Sequence, residues 1–212
     1  EKDNRVKRAF IGVLKYSKGN ADVSNFLQNI IRSDTSYYAI ADAFRVLAVI
    51  DSSSAKKYVD GLLNTESHND IIRRSALSYF GQVRSRYNYN QLKELAEYGA
   101  FSWESRPTVF LELGKYQKSR PNTLDFILPF IQDKDRFVRM AVVKQIGLHG
   151  SKLHFGLLDS LVESDPVLSI NVRRAKEKIT GRYKKKKIDS SDQNTVQELK
   201  KKINEIKNIL DN

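Results

Sequence analysis

A ten-residue frame recurs six times in this chain of 212 residues, and its period limits the fold more than any other feature. The fullest copy is Ile72 to Gly81, IRRSALSYFG. The others start at Val6, Ile40, Ser105, Val138 and Val172, so successive copies lie about 33 residues apart. The fourth position is always small: Ala9, Ala43, Ser75, Thr108, Ala141 and Ala175. The tenth is Gly81, Gly114, Gly147 or Gly181 in four copies, and the second is Lys7, Arg73, Arg106, Arg139 or Arg173 in five. Six copies agreeing in three columns point to a stack of similar units with one continuous core.

Within each unit the apolar residues fall at i, i+3 and i+4, the spacing of two helices joined by a short loop. Unit one is expected to turn Val6, Phe10, Val13 and Leu14 inward, break at Lys18-Gly19-Asn20, and continue with Val23, Phe26, Leu27, Ile30 and Ile31. Unit two breaks at Asp51 to Ser54, with Ser54 as a possible cap. In unit three, Asn69 or Asp70 is a natural N-cap. Pro107 fits a helix only in its first turn, and Pro129 should distort the second helix of unit four. Unit six has one helix, and Lys176 takes the place of an apolar residue there, which suits a terminal cap.

Each column has a physical reading. The small residue lets helices approach closely. The Gly suits a helix end that needs positive φ. The basic column (Arg73, Arg106, Arg139, Arg173) is expected to form a structural ladder with carboxylates such as Asp70, Glu104 and Asp135, in preference to a substrate-binding set.

The pattern resembles HEAT repeats, which share this Val-Arg-x-small first helix. That gives the expected fold: an all-α, right-handed superhelical solenoid of about five and a half helical pairs over residues 1–181. A basic and polar linker (182–194) and an amphipathic coiled-coil helix (195–212) follow. In that last segment Val196, Leu199, Ile203, Ile206 and Leu210 make an a/d seam behind a capping box at Thr195 to Glu198. So short a helix must pack on something, and a second copy of the chain is one candidate.

The net charge is +12, with 29% charged residues. Acids are interspersed with the bases, so a solvated surface is preferred to a nucleic-acid footprint. Cys is absent, which excludes disulfides and thiolate metal sites and fits a reducing compartment. No apolar run reaches membrane-spanning length and no signal peptide is present, so the expected location is cytoplasmic. The opening EKDNRVKRAF is already in repeat register, so the chain is expected to be a piece of a longer protein.

The chain shows no cluster suited to catalysis. His68, His149 and His154 fit no His-Glu-x-x-His pattern, no serine stands in Gly-x-Ser-x-Gly, and there is no phosphate-binding glycine loop. Catalytic, metal and cofactor residues are therefore expected to be absent. Aromatic residues do gather near unit boundaries. Arg86, Tyr87, Tyr89, Trp103 and Arg106 form a candidate peptide- or partner-binding surface, although filling grooves between units is the simpler role for the rings.

A narrower likeness lies in Ser36-Tyr-Tyr-Ala-Ile-Ala-Asp-Ala43, Glu66-Ser-His-Asn-Asp-Ile-Ile-Arg-Arg74, and Glu97-Tyr-Gly99 before the Arg106 helix. This succession resembles the C-terminal HEAT-type domain of zinc metallopeptidases of the aminopeptidase N family. The resemblance implies a non-catalytic domain that packs over its own catalytic domain in cis and shapes peptide access. Zinc would sit only in that catalytic domain. The same architecture occurs in a non-catalytic relative, a large subunit of a general transcription factor. Two other readings remain: a stand-alone HEAT adaptor for protein partners, and a nucleic-acid binder using Lys184 to Lys187 and the arginine columns.

Overall fold

The computed structural model describes residues 2–183, with side chains from Asn4 onward, and every regular element among them is helical. The order is α1 (Lys2–Val13), α2 (Ala21–Ser33), α3 (Tyr37–Ile50), α4 (Ser52–Lys56), α5 (Val59–Leu63), α6 (Ile71–Gln82), α7 (Arg86–Ala96), α8 (Arg106–Gly114), α9 (Thr123–Ile127), α10 (Arg136–His149), α11 (Phe155–Ser164) and α12 (169–183). Two compact units result, Glu1–Gln145 and Ile146–Asn212, which divide within α10. The helix α12 continues through Arg182 and Tyr183, which the sequence assigned to a linker. Arg182 donates there to the carbonyls of Gly147 and Gly150. The seam Val196, Leu199, Ile203, Ile206 and Leu210 lies outside the described residues.

Local chemistry sets the helix ends. Asn20 caps α2 through Val23 N–H, Ser36 caps α3, Asp51 rather than Ser54 caps α4, and Ser85 caps α7. Pro107 lies in the first turn of α8, where its missing N–H costs nothing. At Pro129 the α-helix gives way to a 3-10 segment, Leu128–Gln132. Asp70 is not the expected side-chain cap. Asn69 and Asp70 have φ of 52° and 50°, and the Ile72 N–H donates to the Ser67 hydroxyl instead.

In the first unit, frame-bearing helices pack side by side, α1 on α3, α3 on α6 and α6 on α8, while α2, α5 and α7 pack on α3, α6 and α8. The period of the sequence reappears in the contacts. Side chains 27 to 36 residues apart bond repeatedly: Lys7 to Asp34, Arg8 to Asp42, Ser105 to Asp70, Arg106 to Asp133 and Tyr116 to the Phe80 carbonyl. In the second unit Leu158, Leu161, Leu168, Val172 and Ile179 form the core. Lys176 there pairs with Asp159 and lies over Phe155.

Unit one departs from expectation. Val6, Phe10 and Val13 are exposed, and Ile11 is the residue of α1 that is fully buried. The columns they occupy are buried in later copies, for instance at Ile72, Ala76 and Tyr79, by a neighbouring frame helix. No described element covers this face of α1, although Phe10 does meet Phe26 edge to face.

The glycine column also has a different cause from the one expected. Positive φ occurs at Gly19 and Gly99, not at the frame glycines. Gly81 and Gly114 instead admit a side chain from the next frame helix. A Cβ on Gly81 would overlap Glu112 Oε2, and one on Gly114 would overlap Gln145 Oε1. A Cβ on Gly147 would meet the Ala175 backbone at 2.9 Å, whereas one on Gly181 meets nothing within 4 Å. Gly147→Ala is therefore expected to cost about 1–3 kcal/mol by overpacking. Gly181→Ala is expected to be neutral or to stabilise by up to about 1 kcal/mol through helix propensity. Urea unfolding of the two variants checks this, and equal effects would contradict it.

Candidate functional site

The buried basic residue Arg106 organises the most built-up surface feature of the first unit. It is the first residue of α8 and only 2% exposed. Its Nε donates to the Ala96 carbonyl at 2.9 Å, and its two terminal nitrogens reach both Asp133 oxygens at 2.9 and 2.5 Å. Asp133 also accepts from Asp135 N–H, which starts the turn into α10. Burial alone would raise the Asp133 carboxyl, but the Arg106 and Asp135 hydrogen bonds outweigh it and hold the group below its ordinary value. One guanidinium thus ties together the end of α7, the start of α8 and the approach to α10.

A cleft of about 490 Å³ opens above this tie, lined by Tyr98, Gly99, Phe101, Trp103, Arg106, Lys134, Asp135, Arg136 and Phe137. Gly99 turns the 97–105 loop with φ of +83°. Three of the rings are unusually open: Tyr98 is 69% exposed, Trp103 58% and Phe137 51%. Trp103 and Phe137 face each other at 5.7 Å with planes 31° apart. The Arg106 and Lys134 cations each lie 5.4 Å from the centre of the Tyr98 ring. Asp135 Oδ1 accepts from Phe137 N–H, while its Oδ2 is buried with no hydrogen-bond partner among the described residues.

The predicted binding set does not form one surface. Trp103 and Arg106 share the cleft, but Arg106 is the buried tie at its floor. Arg86 and Tyr87 lie exposed at the start of α7 and do not line it. Tyr89 packs against Tyr116 at 5.1 Å and under Arg120. Tyr89 therefore fills a groove between units, whereas Tyr87, Tyr98 and Trp103 stay exposed and do not. The sequence reading missed Phe137, Phe101, Lys134 and Asp133. Phe137 carried a signal: it is an aromatic immediately before a frame start, off the columns that the frame buries.

The basic column divides. Arg73 bonds both Asp70 oxygens at 2.8 Å and the Leu63 carbonyl, just as Arg106 takes the Ala96 carbonyl. Both therefore sit at the end of a preceding second helix, where a cation is favourable. Arg139 bonds the Asp133 and Lys134 carbonyls. Arg173 is exposed and reaches Glu177 only at 3.8 Å. The acidic partners of Arg73 and Arg106 are thus Asp70 and Asp133, not Glu104 or Asp135. Asp70 also accepts from Ser102 and Ser105. Burial would raise its carboxyl, but these hydroxyls and Arg73 lower it overall.

Among the described residues no group of three or more His, Asp or Glu could hold a metal, and no helix is long and apolar enough to cross a membrane. His154 bonds Ser151 in a capping box. No family model, curated protein or solved structure matches the chain.

Asp133→Asn removes one charge of a desolvated pair and is expected to cost about 3–5 kcal/mol at pH 7. A carboxyl lowered in the folded state stabilises above its unfolded value, about pH 3.9, and loses that contribution as pH falls through the folded value. The deficit of the variant should therefore shrink below about pH 4 in urea titrations. A deficit constant from pH 7 to pH 3 would contradict the assignment.

Proposed function

We propose that this chain is a non-catalytic helical-repeat module that binds peptide or protein segments, built on the HEAT-like α-α plan that the sequence period suggests. The observation that carries this reading is the cleft: three exposed aromatic rings converge over a rigid, buried ion pair. A soluble surface has no folding reason to leave Tyr98, Trp103 and Phe137 open together. Aromatic side chains with two stiff torsions give large contact area at small entropic cost, which is what peptide-binding surfaces use.

The frame supports the same reading. Contacts recurring at 27 to 36 residues are what stacked repeats produce, and such stacks characteristically present extended binding surfaces. The resemblance of Ser36 to Ala43 and Glu66 to Arg74 to aminopeptidase N-type C-terminal domains supplies a setting: peptides on their way to a catalytic domain elsewhere. In that setting zinc and its ligands belong to the other domain, and this chain contributes shape and charge.

The reading is tested by selecting peptides from a random 12-residue display library on the purified chain and measuring their affinity in solution. Binders should emerge, and Trp103→Ala should weaken them about tenfold or more, as expected for an interface hot spot. Arg86→Ala and Tyr87→Ala, off the cleft, should change affinity less than about twofold. Failure to select any binder, or binders indifferent to Trp103→Ala, would contradict the proposal.

A further inference from the structure

We infer that the C-terminal segment 195–212 docks within its own chain as the second helix of unit six, antiparallel to α12 in the groove between α11 and α12. The segment lies outside the described residues, so the groove and the sequence of the tail carry the inference. It is independent of the peptide-binding reading.

The groove lies where the repeat lacks a helix. In the first unit α7 packs both on its own frame helix α6 and on the following α8. In the second unit α12 is the frame helix of unit six. α11, from unit five, lies against it through Lys176, which pairs with Asp159 and covers Phe155. The second helix of unit six has no counterpart among the described residues. Frame columns six and nine are buried in the three preceding copies, at Leu77 and Phe80, Phe110 and Leu113, and Val143 and Ile146. In α12 the same columns are Glu177 and Thr180. Both line an open groove of about 540 Å³ together with Val162, Val172 and Gly181. Ile170 is 52% exposed and shares a helix face with Arg173 and Glu177, three and seven residues further on.

The tail fits this groove in length. Ser169 to Gly181 spans about 18 Å of α12, and Val196 to Leu210 spans about 21 Å as a helix. Residues 184–194 reach at most about 36–40 Å when extended, which is ample for turning back beside α12.

Charge favours this seat over a second copy of the seam. With Val196, Leu199, Ile203, Ile206 and Leu210 at a and d, the charged e and g positions are Lys200, Lys202 and Lys207. Two such seams would set lysine against lysine in either direction, which is destabilising. α11 instead carries Asp159 and Glu163 and no base. Asp159 meets Lys176 yet stays 61% exposed, and Glu177 at the groove edge is 67% exposed with Arg173 no nearer than 3.8 Å. An apolar ridge edged by lysines therefore suits a groove with Val162 and Val172 in its lining and carboxylates at its rim.

Centring the seam on the groove in antiparallel register sets Leu199 near Thr180 and Leu210 near Ser169. The chain has no cysteine, so paired cysteines test this on the full chain. Under mild oxidation at low protein concentration, Thr180→Cys with Leu199→Cys, and Ser169→Cys with Leu210→Cys, should close within one chain roughly tenfold faster than the reversed pair Ser169→Cys with Leu199→Cys. Peptide mapping by mass spectrometry identifies each bond. Adding Ile203→Asp should abolish the advantage while the helical circular dichroism is kept. A reversed pair that closes equally fast shows a tail without this seat and overturns the inference. Bonds formed mainly between two chains assign the seam to another copy and overturn it too, as does an advantage that survives Ile203→Asp. Every variant leaves Trp103 and its cleft untouched, so failure here leaves the peptide-binding reading standing.

Discussion

The structure of the first unit depends on how closely neighbouring frame helices approach. α3 lies against α6 and α6 against α8, and frame helices approach so tightly that Gly81 and Gly114 stand where a methyl group would strike Glu112 and Gln145. Both of those side chains are buried in a column that holds Leu47 and Tyr79 elsewhere. Glu112 Oε2 and Gln145 Oε1 have no aligned hydrogen-bond donor among the described residues. The Lys115 ammonium lies 2.5 Å from Glu112 Oε2 as an ion pair. Burial still pushes the Glu112 carboxyl up against the opposing pull of Lys115. Polar groups in such positions cost stability and narrow the ways neighbouring helices can register.

Arg106 turns this packing into a site. Exposed pairs such as Arg173 with Glu177 contribute roughly 0–1 kcal/mol and fix little. The Arg106 and Asp133 side chains are 3% and 7% exposed, so their pairing holds only if geometry is kept. Keeping it holds Ala96, the 97–105 loop and the approach to α10 in a single arrangement. The open rings are mounted on that arrangement and not on a slack loop. Asp70 makes a parallel tie one frame earlier, where Arg73, Ser102 and Ser105 converge on one carboxylate whose backbone has positive φ.

The all-helical class was legible because the frame columns repeat and because buried positions follow helical spacing from Ala39 to Ile179. The helix caps at Asn20, Ser36 and Ser85 follow local rules. Other features depend on neighbours that a single stretch of sequence does not display. Val6, Phe10 and Val13 look like core residues by spacing, and they are exposed because nothing described packs over them. The glycine column reads as a helix end, whereas at Gly81 and Gly114 its cause is a side chain 31 residues further on. The site was half legible. Trp103 was legible as one of the aromatics near unit boundaries, but its partner Phe137 arrives from the next frame, and Arg106 was grouped with Arg86 and Tyr87 only because all three lie near such boundaries.

The rigid tie and the open rings together make the cleft on which the proposed peptide-binding reading rests. Trp103 is the one tryptophan of the chain, so its emission reports on that cleft directly. The most direct measurement is acrylamide quenching of Trp103 during titration with a bound peptide that lacks tryptophan. The account predicts ready quenching in the free chain and saturable protection, with a blue shift, as the peptide binds. Binding that leaves Trp103 as accessible as before would place the ligand elsewhere and contradict the account.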